Sequence, residues 1–261
     1  MTTDVILTEI ADGIAVLTIN RPKTLNALDI PTLLALEAAW AKIEADPAVQ
    51  VIIITGAGDR AFVAGGDIAD LKSRDGLRHY EEFGEVVHRV FRKIELCDKP
   101  TIAAVNGYAL GGGFELALMC DLIVASKDAI FGLTEVKLGM LPGGGGTATL
   151  ARVVGRAQAK RLIWTGARFD GTKAFEMGIA AELADAGASL EAARRLAAEI
   201  VRNAPLPVMF SKALIDRSAD LSARNAWLQE GDLSFALSFS QDRQEGLAAF
   251  KEKRSPSFKG R

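Results

Sequence analysis

The 261-residue sequence predicts an α/β fold with mostly parallel strand pairing. Three observations carry that expectation. Short β-branched runs alternate with helix-like stretches through the first half of the chain. Two of the runs, "VQVIIITG" (49–56) and "TIAAVNG" (101–107), are almost continuously apolar, as strands covered on both faces are. After about Ala148 strand signals stop, and helices alone are expected to the end.

In order along the chain, "GIAVLTI" (13–19) follows an Asp-Gly turn signal, and "VILTEI" before it can pair with it as a hairpin. "NALDIPTLLALEAAWAKIEADP" reads as a helix. Asp29 can cap it, Pro31 suits its first turn, and Leu33, Leu36, Trp40 and Ile43 recur at helical spacing. The strand at 49–56 ends on glycine, and "RAFVAGGD" reads as a glycine-bearing loop. Residues 70–83 are dense in charge and read as a solvated helix or a mobile segment. A helix over 85–96 leads to the strand "TIAAVNG"; Gly111–Gly113 then open another helix. "DLIVAS" is a further strand, and "AIFGL" can be a short one. Helices are expected over 152–165, 171–177, 190–203, 209–216, 227–239 and 242–253. "NAPLP" (203–207) divides a core, residues 1–203, from a helical C-terminal region, residues 204–261.

Composition narrows the function. A hydrophobic content of 49% and a charged content of 25% are those of an ordinary globular chain, with room for one large domain or a core and an appendage. A net charge of −2 offers no general attraction to nucleic acid or to an anionic membrane. Cys97 and Cys120 sit in apolar surroundings, as reduced buried thiols do. The N-terminus lacks a basic, apolar leader pattern, and no apolar run reaches about 18 residues, so a cytoplasmic protein without a membrane span is expected.

Several motifs are decoys. "GAGDRA" (56–61) has the G-x-G-x-x-A spacing of a dinucleotide fingerprint, but another glycine loop follows where a helix is needed. "PGGGGT" lacks the Gly-Lys-Ser/Thr of a phosphate loop and reads as a tight turn before a helix. His79 and His88 lie in charged, helical sequence and read as solvated or salt-bridged. No clustered ligand spacing suggests a metal.

One stretch does not fit a plain core: "GYALGGGFELALMCD" (107–121). From Phe114 to Cys120 every residue except Glu115 is apolar, and a carboxylate is seldom buried without a partner or a use. The glycines before it, and Gly65-Gly66 in "AFVAGGD", free the backbone to aim N–H groups into a cleft. Two such loops can point two donors at one oxygen, with the partial positive charge of a helix N-terminus behind one of them. Glu135 in "FGLTEVKLGMLPG" supplies a second acid. Two nearby carboxylates split their pKa values, so that one can hold a proton while the other is ionised.

In the same order, "TINRPKTLNAL", "AFVAGGDI", "PTIAAVNGYALGGGFELALMCDLIVAS", "FGLTEVKLGMLPGGGGT" and "DRQEGLAAFKEKRSPSFKG" resemble the motifs of the enoyl-CoA hydratase/isomerase, or crotonase, superfamily over nearly the whole chain. The resemblance implies a crotonase-like spiral of ββα units with a helical C-terminal trimerisation region, the trimers often paired as hexamers. It implies an acyl-CoA thioester substrate, with coenzyme A as part of that substrate and no separate cofactor. Carried onto this sequence, it makes Gly66 and Gly112 the oxyanion hole and Glu115 and Glu135 the two hydratase glutamates. Gly143 becomes the residue whose N–H helps to hold the reacting water. Lys23, Leu25, Ala64, Asp67, Ile68 and Ala69 become the CoA contacts, and Phe250 and Lys253 reach a neighbouring subunit's CoA. Hydration of a 2-enoyl-CoA is the implied reaction; Δ3-Δ2 isomerisation, dehydration and decarboxylation are the alternatives on the same fold. Two departures are notable: Thr134 stands where many hydratases carry proline, and Phe114 is bulkier than the small residue often found beside the first glutamate.

Overall fold

A computed structural model describes residues 4–74 and 76–261. The chain opens with the expected hairpin, β1 (Ile6–Ala11) against β2 (Ile14–Ile19), turned at Asp12-Gly13 where both residues have positive φ. A 3-10 turn over Pro22–Thr24 leads to α1 (Ile30–Ala45). Asp29 caps α1 by accepting the Thr32 N–H at 2.8 Å, and Leu33, Leu36, Trp40 and Ile43 all face inward. β3 (Val51–Gly56) and the short β4 (Ala61–Val63) follow. Next come α2 (Ile68–Lys72), α3 (Gly76–Arg78), a π-helical turn over His79–Gly84 and α4 (Glu85–Glu95).

Then come β5 (Thr101–Val105), β6 (Tyr108–Leu110), α5 (Gly112–Leu118), β7 (Leu122–Ser126), β8 (Ile130–Gly132) and a 3-10 turn over Glu135–Leu138. The remainder is α6 (Gly146–Val154), α7 (Arg156–Thr165), β9 (Phe169–Asp170), α8 (Gly171–Glu176), β10 (Glu182–Ala184), α9 (Ser189–Val201), α10 (Pro205–Ser218), α11 (Ala223–Leu237) and α12 (Gln241–Glu252).

The strands form two sheets. The larger has the order β1-β2-β3-β5-β7-β10 and the smaller β4-β6-β8-β9. All pairs are parallel except β1 with β2 and β8 with β9. A strand in the large sheet is followed by a strand in the small sheet, then by helix: β3-β4-α2, then β5-β6-α5. This ββα repeat is the spiral implied by the sequence.

The apolar runs have a direct cause. Ile52, Ile54, Ala103 and Val105 join the core that takes in Leu33, Leu36 and Trp40 of α1 and Val90 and Phe91 of α4. On the opposite face, Val51, Ile53, Ile102, Ala104 and Val124 pack against Ala192, Ala193 and Ala197 of α9. A strand enclosed on both faces cannot alternate polar with apolar residues.

Three expectations are corrected. Strands do not stop after Ala148: β9 completes the small sheet against β8, and β10 adds to the edge of the large one at β7. "AFV", within a stretch read as a loop, and "YAL", which was given no strand, are strands of the small sheet. At two or three residues, these four are too short to carry a period. The helix expected over 152–165 is two helices, the first starting at Gly146, broken where Gly155 takes φ 77° and ψ 157°. Of the two forms expected over 70–83, the described residues take the helical one, in α2, α3 and the π-helical turn, with Arg74 bonded to both Asp70 and Glu82.

Candidate active site

The small sheet assembles the site. β4, β6 and β8 run parallel and adjacent. Their C-terminal ends therefore release three neighbouring loops, carrying Gly65-Gly66, Gly111-Gly112 and Glu135. On the first loop, Leu28 donates its N–H to the Gly65 carbonyl and accepts the Asp67 N–H, both at 2.8 Å. Gly66 lies between those two bonds, so its own N–H faces the other way. The Gly112 N–H belongs to the first turn of α5, where a helix offers no internal acceptor. A Cβ built on Gly112 would lie 4.0 Å from the Gly66 nitrogen, so the two amides are neighbours.

The three consecutive glycines serve different ends. Gly111 adopts φ 52°, in the region that favours glycine. Gly113 lets α5 close onto β4, since a Cβ there would fall 1.9 Å from the Val63 carbonyl oxygen. Gly112 borders the cavity and meets no such obstacle.

Glu115 follows within the same helical turn and is buried. Its Oε1 accepts the Gly144 N–H at 2.7 Å and the Gly146 N–H at 2.9 Å. Burial raises its pKa, while the two amides favour the ionised form and oppose that rise. Glu135 is held otherwise. Both its carboxylate oxygens are closed off from solvent without a hydrogen-bond partner. Burial pushes its pKa up to about 7, and the charge of Glu115 adds to the effect. Burial raises both acids, and they differ in hydrogen bonding: two amides oppose the rise at Glu115, while Glu135 has no such partner.

Both glutamates, Gly66, Gly112 and Gly143 line one cavity of about 190 Å³. Leu71, Phe83, Val87, Phe91 and Leu141 give it an apolar wall. Ala64 and Ile68 also border it. Lys23 and Leu25 lie outside the lining, on the 3-10 turn beside it, with the Leu25 carbonyl accepting the Ala64 N–H at 3.1 Å. Asp67 caps α2 by accepting the Ala69 and Asp70 N–H groups, and pairs with Arg21 at 3.3 Å; Ala69 is exposed. Phe250 and Lys253, at the end of α12, do not line the cavity of their own chain, and Phe250 is 87% exposed.

The two departures have structural outcomes. With Thr134 before it, Glu135 still reaches the cavity, its Oε1 lying 3.3 Å from where a Gly111 Cβ would sit. Phe114 points elsewhere, into an edge-on cluster with Phe131 and Phe169 at 5.4 and 5.8 Å between ring centroids. Its bulk is absorbed by the core.

Three residues at this site escape sequence reasoning. Gly144 and Gly146 hold Glu115, and their signal was the "GGGG" run, which reads only as a turn. His88 is exposed, yet its Nε2 lies 2.5 Å from the Gly143 carbonyl oxygen. No group of three or more His, Cys, Asp or Glu side chains among the described residues is placed to hold a metal ion.

The chain as a whole matches known proteins in both sequence and shape. The enoyl-CoA hydratase/isomerase family model matches residues 9–261, and the chain belongs to that family. Crotonyl-CoA hydratase of Syntrophomonas wolfei is 42% identical over 97% of each chain. Short-chain-enoyl-CoA hydratase of Clostridium acetobutylicum is 42% identical over 95% of each. Among solved structures, enoyl-CoA hydratase from Bacillus anthracis superposes with a TM-score of 0.95 at 33% identity, covering 98% of this chain and all of the other.

Proposed function

We propose that this protein acts as an enoyl-CoA hydratase on short 2-enoyl-CoA thioesters, with Glu115 and Glu135 adding water between them. One observation carries the assignment of roles: two carboxylates, one holding two amide N–H bonds and the other without a hydrogen-bond partner, face the same pair of amides across one cavity. Two relatives at 42% identity, named for crotonyl-CoA and for short-chain enoyl-CoA, support the reaction and the short acyl chain.

The thioester carbonyl oxygen accepts the N–H groups of Gly66 and Gly112, which stabilise the enolate charge; one such donor contributes about 3 kcal/mol to the barrier. Glu115, whose ionised form the Gly144 and Gly146 amides favour against the effect of burial, takes a proton from water. The water oxygen bonds to Cβ, and the double-bond electrons pass through Cα to the carbonyl oxygen. Glu135, protonated, then gives its proton to Cα, and the enolate electrons return to form that C–H bond. Proton exchange with solvent resets both acids. Gly143 borders the water position, and Lys23, Leu25, Ala64, Asp67, Ile68 and Ala69 lie along the proposed path of the CoA.

The same reading makes the protein a homotrimer or a pair of trimers, with Phe250 and Lys253 meeting a neighbour's CoA. Supporting this, Trp227, Phe235 and Phe239 are exposed on and just after α11.

The test is an absorbance assay at the enone band with crotonyl-CoA and longer 2-enoyl-CoAs. Wild-type protein should remove the band fastest with crotonyl-CoA, and Glu115→Gln and Glu135→Gln should each lower kcat by at least about a hundredfold. Near-normal turnover by either variant, in folded protein, would end this assignment of roles.

A further inference from the structure

We propose that His88 is a positioning residue for Glu115, acting through the single peptide group that joins Gly143 to Gly144. It builds on the proposed role of Glu115 as the base that activates water.

The geometry is a relay across one peptide plane. His88 Nε2 lies 2.5 Å from the Gly143 carbonyl oxygen, and the Gly144 N–H donates to Glu115 Oε1 at 2.7 Å. The carbonyl and the N–H are the two poles of the same amide. A carbonyl oxygen only accepts, so the bond requires Nε2 to carry the hydrogen. Donation into the carbonyl polarises the amide and makes its N–H a stronger donor, the cooperative effect of linked hydrogen bonds. His88 thereby tightens one of the two bonds that fix Glu115 and favour its ionised form. The imidazole is also close enough for its own charge to favour the Glu115 carboxylate.

Local structure explains why this peptide needs an external anchor. Gly143, Gly144, Gly145 and Gly146 are consecutive, and a four-glycine run has little intrinsic preference for one conformation. Bulk cannot be added at Gly144 to stiffen it, since a Cβ there would lie 2.9 Å from the Phe91 ring and 3.0 Å from Glu115 Oε2. A side chain from outside must therefore fix the loop. α4 supplies it: Val87 and Phe91 face the cavity, while His88, one position on from Val87, emerges at its outer rim over Gly143. His88 borders neither the amide pair nor the cavity, so it has no contact through which to bind substrate.

The test compares His88→Leu and His88→Gln with wild type, alone and combined with Glu115→Gln. His88→Leu should lower kcat about tenfold with KM little changed, because the loss acts on the base and not on substrate binding. His88→Gln, which keeps an N–H donor, should recover most of that loss. In the Glu115→Gln background His88→Leu should cost less than twofold, since the group it positions is already disabled. Thermal melting should agree among the three proteins within a few degrees, as expected for an exposed side chain. An unchanged kcat in His88→Leu, or an equal loss with and without Glu115, overturns the proposal. If Glu115→Gln itself hydrates normally, the role of Glu115 fails instead, so the two failures are distinct.

Discussion

Glu115 and Glu135 share one cavity and one side-chain chemistry, and differ in what their oxygens touch. Two amides meet the first; nothing meets the second. That difference has a consequence for pH. The Glu135 pKa is raised from 4.5 to about 7, chiefly by burial. A carboxyl raised on folding is more stable protonated in the native state than in the unfolded chain. Its contribution is intact below about pH 4.5 and is lost as pH rises through about 7. In the proposed mechanism the same proton is the one delivered to Cα. Raising pH through 7 should therefore lower kcat/KM with an apparent pKa near 7 in wild type. Glu135→Gln, though nearly inactive, should be more stable than wild type at pH 8 by roughly 1–2 kcal/mol, discounted for partial exposure, and equal to it near pH 4.5. Denaturant melts at the two pH values check this, and a pH-independent difference would contradict it. Glu115 was legible because a charge inside an apolar run is conspicuous. His88 was not, because a histidine in a charged helix gives no sign of what lies opposite it in space.

The elements that build the site are its shortest. β4, β6 and β8 have three residues each, yet their parallel ends place the two amides and Glu135 side by side. The sequence displayed their glycines clearly and the strands hardly at all, since three residues cannot express an alternation. The long strands of the large sheet were readable because burial on both faces leaves a continuous apolar run. The glycine triplet predicted backbone freedom; that Gly113 instead permits close packing of α5 on β4 emerges only from the contact with Val63. This separates two substitutions. Gly113→Ala sets a methyl against the Val63 carbonyl, must push α5 away, and should cost about 2–3 kcal/mol of stability. Gly112→Ala has room beside the Gly66 amide and should melt near wild type while losing at least about tenfold in kcat, through displaced substrate at the oxyanion site. Equal melting temperatures for the two variants would show that the contact at Val63 yields without strain.

For the whole molecule, the α/β class followed from the alternation of apolar runs and helical stretches, whereas the repeated strand-strand-helix unit was implied by the family resemblance alone. What surrounds that core follows from an excess of apolar surface. Trp227, Leu228 and Phe235 on α11, Phe239 just beyond it, and Leu247 and Phe250 on α12 are all exposed, in a region where a solitary chain would be expected to carry polar side chains. Large aromatic side chains left exposed on consecutive helices are the composition of an interface core. On the trimer or pair of trimers that the family resemblance implies, sedimentation of wild-type protein should give a mass three or six times that of the 27.8 kDa chain. Replacing Trp227 and Phe235 together by Asp should shift it to the mass of one chain, because charges cannot be buried there without partners. If Phe250 and Lys253 reach a neighbour's CoA, the dissociated protein keeps its own glutamates and amides but loses that contact. KM for the CoA thioester should then rise several-fold, while the chain remains folded by circular dichroism. A wild-type protein that sediments as one chain at micromolar concentration, and binds substrate as tightly as the double variant, would leave these helices without the role assigned to them.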